Sequence, residues 1–72
     1  MMNMRHGNTA REMVESGQWA KIGRKHYRHE SGAEILYNNN RWLWEVVGAS
    51  DGWSALWVAR HWVEKGFYAS AK

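Results

Sequence analysis

The stretch Trp19-Ala20-Lys21-Ile22-Gly23-Arg24-Lys25-His26-Tyr27-Arg28-His29-Glu30-Ser31-Gly32-Ala33-Glu34-Ile35-Leu36-Tyr37-Asn38-Asn39-Asn40-Arg41-Trp42-Leu43-Trp44-Glu45-Val46-Val47 decides the fold. Its apolar residues recur with a period of two, the period of a half-buried strand. Ser31-Gly32 and Asn38-Asn39-Asn40 punctuate it, which predicts a meander of three antiparallel strands. A two-residue turn at Asn39-Asn40 sets Tyr37 opposite Trp42, Ile35 opposite Trp44 and Ala33 opposite Val46. A three-residue loop at Glu30-Ser31-Gly32, with Gly32 left-handed, sets Tyr27 opposite Ile35 and Arg28 opposite Glu34. Both hairpins then gather the large apolar side chains on one face, as a sheet with one buried side requires. Trp44, in the middle of its strand, is expected to be buried against a helix near Ala59 and Val63.

Outward from this stretch the period changes. Thr9-Ala10-Arg11-Glu12 reads as a capping box, with Ala10, Met13 and Val14 on one face of a two-turn helix and Gly17 at its end. After the sheet, Asp51-Gly52-Trp53-Ser54 leads into a second helix, with Ser54 as its N-cap and Trp53 stapled onto Val58. That helix runs to about Lys65 and stops at Gly66. Leu56, Ala59 and Val63, flanked by Ala55 and Trp62, form its apolar stripe. The fold class is therefore α+β, in the order α-β-β-β-α, with the C-terminal helix on the buried sheet face. Residues 9–66 make one domain, preceded by a loose N-terminus over 1–8 and followed by a tail over 67–72.

Composition bounds the rest. The chain has 72 residues with no cysteine and no proline, and 44% of it is hydrophobic, enough for a core. No apolar run approaches the roughly 20 residues of a membrane span, and no signal peptide is visible. Without cysteine a disulfide scaffold is excluded, which leads us to expect a reducing, cytoplasmic setting and no membrane association. The net charge is +3. All of that excess lies in residues 19–41, where Lys21, Arg24, Lys25, Arg28 and Arg41 face only Glu30 and Glu34. Six tryptophans in so short a chain are more than a small interior readily hides, since each large aromatic buries about 150–250 Å².

The element order and length over residues 9–66 resemble the double-stranded RNA-binding domain. They are similar, too, to the amino-terminal arm-binding domains of recombinase integrases and to the plant ethylene-response-factor domain. Gly52-Trp53-Ser54 opening the last helix, with Ala59 and Trp62 on its packed face, carry the local part of the resemblance. It implies a three-stranded sheet with the last helix packed across one face. The RNA-binding family also clamps phosphate with lysines in the first turn of its last helix, where this chain has Ala55, Leu56 and Trp57. In size and tryptophan content the chain looks like the small inhibitors that phages and mobile elements encode, anti-CRISPR and anti-restriction proteins among them.

The candidate chemistries rank as follows. His26 and His29 fall on opposite faces of a strand and cannot share a metal. No glycine-rich phosphate loop is present. Glu34 and Glu45 fall side by side on the outer sheet face, where Arg28 makes a cross-strand charge network of them rather than an acid–base pair. No catalytic residue, metal or cofactor is therefore expected. On the same outer face Leu36, Leu43 and Val47 form an apolar centre with a charged rim, and Trp57, Val58 and His61 lie on the outward side of the last helix, Trp57 and His61 meeting four residues apart. These six are the candidate protein-binding residues. The expected function is that of a small non-enzymatic binding protein, an adaptor or inhibitor that occupies a surface of a larger protein or nucleoprotein machine, with homodimerisation as a further option. The alternative is a DNA- or RNA-binding accessory that uses Lys21, Arg24, Lys25, Arg28 and Arg41 along the first strand and outer face.

Overall fold

The period-two stretch forms an antiparallel sheet of five strands in sequential order, flanked by two helices. The computed structural model describes residues 9–68. The elements are α1 (Thr9–Glu15), β1 (Trp19–Gly23), β2 (His26–His29), β3 (Glu34–Asn38), β4 (Leu43–Val46), β5 (Gly52–Trp53) and α2 (Leu56–Glu64). The class is α+β, but the expected three-stranded meander is corrected at both ends. The expected first strand breaks at Arg24-Lys25 into a hairpin, and Lys25 takes a φ of 51° to turn the chain. A fifth strand, β5, pairs Trp53 with Trp44 and Gly52 with Glu45. The loose N-terminus expected over 1–8, and the end of the expected tail, lie outside the described residues.

The β2–β3 hairpin has the expected register, Tyr27 opposite Ile35 and Arg28 opposite Glu34, with Gly32 left-handed at φ 100°. The β3–β4 hairpin does not. Tyr37 pairs with Trp44 and Ile35 with Val46, two residues away from the expected register. Asn38 explains the shift: its side-chain oxygen accepts from the amides of Asn40 and Arg41 at 2.9 and 3.2 Å, which folds residues 39–42 into a four-residue loop. A slip of two keeps every side chain on its face, so the buried side survives the wrong pairing. Trp42, however, leaves the sheet for the loop and is 73% exposed.

Met13, Trp19, Tyr27, Ile35, Val46, Ala59 and Val63 form the core between the sheet and the two helices. Trp44 is packed against this core but only half-buried, which corrects its expected burial. α1 docks against β1 and α2, while α2 lies on β4 and β5. Both helices therefore cover the same sheet face and leave the other bare. A hydrogen bond from the Trp19 indole to Glu64 Oε2 (2.9 Å) ties β1 to the end of α2 and satisfies the one polar atom of a buried ring. Arg60 reaches the same carboxylate oxygen at 2.8 Å and approaches Glu12 of α1 at 3.8 Å. Ser54 does not cap α2. The N-cap position falls to Ala55, which offers no side-chain oxygen, and Trp53 sits in β5. Gly66, at φ 91°, ends the helical run, and the chain past it turns back so that Tyr68 packs edge-on to Trp53 and donates to Asp51.

Candidate functional site

Two surfaces hold the sequence-predicted residues, and they differ in how far the protein has already satisfied them. The bare sheet face carries Leu36, Leu43 and Val47, with Leu36 and Val47 exposed at 41% and 55%. Its charges are paired. His26 Nε2 donates to Glu34 at 2.8 Å and Arg28 Nε to the same carboxylate at 3.4 Å. Glu45 accepts from Asn38 at 3.3 Å and from Arg41 Nη1 at 3.0 Å. The hydrogen bond from His26, helped by Arg28, holds the Glu34 carboxyl below its ordinary value. Glu34 and Glu45 are not side by side, as expected, because the two-residue slip puts Glu45 opposite Leu36. Leu43 packs over Gly52, where an added Cβ would stand 3.0 Å from its Cδ1. The outer face is thus a self-neutralised charge network around two exposed apolar side chains, Leu36 and Val47.

The second surface is a groove of about 480 Å³ at the end of the molecule where both helices begin. Thr9 and Ala10 of α1, Tyr27 and Trp44 of the sheet, Ala55, Leu56 and Trp57 at the start of α2, and Lys25 of the β1–β2 turn line it. The aromatic rings brace one another: Tyr37 meets Trp44 edge-on at 5.0 Å, Tyr27 lies 6.3 Å from Trp44, and Lys25 Nζ sits 4.7 Å over the Tyr37 ring. Trp57 is 46% exposed. This size and apolar lining suit a large side chain from a ligand.

The structure therefore divides the candidates. Trp57 joins the groove, while His61 turns to the ring of Trp62 at 5.0 Å, so the expected Trp57–His61 pair serves two different neighbourhoods. Val58 is partly buried beside them. Among the basic candidates, Arg28 and Arg41 are held by Glu34 and Glu45. Lys21, Arg24 and Lys25 make no ion pair with any described carboxylate; Arg24 and Lys25 form the β1–β2 turn, and Lys21 stands in β1 opposite Tyr27. Tyr27 is in the core as sequence reasoning assigns it, while Trp44, assigned there too, is only half-covered, because the pattern carries no signal of where the helices stop. Trp42 was assigned there too. Its position in a loop was hidden by the asparagine run, which fits turns of several lengths.

His26 and His29 lie on opposite faces as expected. His29 is buried, with Ser31 Oγ 2.9 Å from its Nδ1. Among the described residues no cluster of three or more histidine, aspartate or glutamate side chains is placed to hold a metal, and no helix is long and apolar enough to cross a membrane. No protein-family model, curated protein or solved structure matches the chain.

Proposed function

We propose that the chain is a small binding protein, an adaptor or inhibitor that occupies a surface of a larger protein or nucleoprotein machine, and that it does so through the aromatic groove. The observation that carries this reading is the pair Trp44 and Trp57, left half-covered around an open apolar groove while the opposite sheet face neutralises its own charges. Half-exposed tryptophans in a concave site are the residues on which binding energy concentrates. A second reading, a nucleic-acid accessory, draws on the unpaired Lys21, Arg24 and Lys25.

Capture from a lysate treated with nuclease tests both, with Trp57→Ser and Leu36→Ser chains beside the wild type. The reading requires that Trp57→Ser still melts cooperatively and loses the captured partner, an affinity drop of about 2 kcal/mol or thirtyfold. Leu36→Ser should retain it. Retention by Trp57→Ser with loss by Leu36→Ser would move the interface to the sheet face. Loss of every partner on nuclease treatment would establish the second reading instead.

A further inference from the structure

The groove is charged on one side only. Lys25 lies in its wall. Lys21 stands opposite Tyr27 in the β1–β2 register and so shares that residue's face, and Arg24 is next to Lys25 in the turn. Arg24 and Lys25 also line a second hollow around the same tip, with Leu36, Tyr37 and Asn39. Among the described residues no carboxylate lines either hollow. The nearest acidic groups of the sheet, Glu34 and Glu45, are on its other face and already hold cations. Elsewhere Arg11 is paired with Glu15, and Arg60 with Glu12 and Glu64. Among the described residues, the cations that pair with no described carboxylate are Lys21, Arg24 and Lys25 at this end of the molecule and Lys65 at the far end of α2.

We propose that this groove takes an acidic peptide segment of a partner protein, seating one bulky apolar side chain against Trp44 and Trp57 and laying flanking aspartates or glutamates over Lys21, Arg24 and Lys25. The proposal rests on the groove being the interface and adds the chemistry of what enters it. Charge complementarity selects the partner, because an apolar wall focuses the field of the cations beside it and steers an acidic segment toward the site. The same charges suit a nucleic-acid strand less well. Such a strand needs a cationic track several phosphates long, and the unpaired cations end with the hairpin, since Arg28 and Arg41 are already neutralised.

Selection from a randomised peptide display library against the full chain tests this directly. Enriched sequences should carry one leucine, methionine, phenylalanine or tryptophan with aspartate or glutamate close by. The variant Lys21→Glu with Arg24→Glu, which keeps Lys25 on Tyr37, should melt like the wild type and bind the selected peptide about tenfold more weakly, as should wild type in high salt. Enrichment of apolar anchors without acids would overturn the acidic class and leave the groove standing. No enrichment, or a selected peptide indifferent to Trp57→Ser, would overturn the groove as well. An oligothymidylate competing more strongly than any peptide, or self-association that blocks the peptide, would assign the site to nucleic acid or to a second copy. Tenfold tighter peptide binding by Met2→Ser with Met4→Ser would assign it to the chain's own first residues.

Discussion

Trp42 enters β4 with φ at 61° and most of its ring in solvent. In that region Cβ crowds the following carbonyl, at a cost of about 1–2 kcal/mol for a residue other than glycine. The amide of Trp42 bonds the Asn38 carbonyl at 2.8 Å, which closes the loop, and any residue can supply that amide. Trp42→Gly is therefore expected to stabilise the protein, by about 0.5–1 kcal/mol once the extra freedom of the unfolded glycine is counted, visible as a rise of a few degrees in Tm. A fall in Tm would show that the indole packs more firmly than its exposure implies. Lys25, at φ 51°, tolerates the same region at the other turn. Neither strained position was legible in the sequence, because lysine and tryptophan are not residues that signal a left-handed turn.

At the scale of elements, the buried face was readable and the pairing was not. Alternation reports parity, so Tyr27, Ile35 and Val46 were assigned correctly to the core side even though β3 and β4 slip by two. Parity says nothing of where a strand ends, and so the β1–β2 turn at Arg24-Lys25 and the two-residue β5 went unseen. The start of α2 shows the same limit. Ser54 suits an N-cap by type, yet the cap falls one residue later, on Ala55, whose φ and ψ of −115° and 134° are those of an N-cap without its oxygen. Ala55→Ser should then stabilise the fold by about 1 kcal/mol in chemical denaturation, because it adds a side-chain oxygen placed to accept from a first-turn amide. Ala55 also lines the groove, so the variant trades away apolar surface there. The candidate site was legible only in its pieces. Trp57 and the cations Lys21, Arg24 and Lys25 were identified, but the groove joins elements distant in sequence, and no local pattern announces that.

For the molecule as a whole, acid should be the condition that weakens it. Burial pushes the Glu64 carboxyl up, but hydrogen bonds from Arg60 and Trp19 outweigh it and hold it below its ordinary value of 4.5, while His26 and Arg28 lower Glu34. Both groups release their protons more readily folded than unfolded. Their contribution is complete above 4.5 and is lost as pH falls through the lower folded values. Denaturation midpoints measured across that window should drop in wild type and drop less in Glu64→Gln. An equal drop would place the acid sensitivity elsewhere. The bond behind this effect has a second consequence, in time rather than in pH. Trp19 and Glu64 stand 45 positions apart, so their contact closes a loop of well over half the chain. During synthesis β1 leaves the ribosome with its indole N–H unanswered and stays so until the last helix follows it out, because loop closure over that span has to wait for its far end. The hairpins can form as they emerge, but the core is sealed only once translation has passed Glu64.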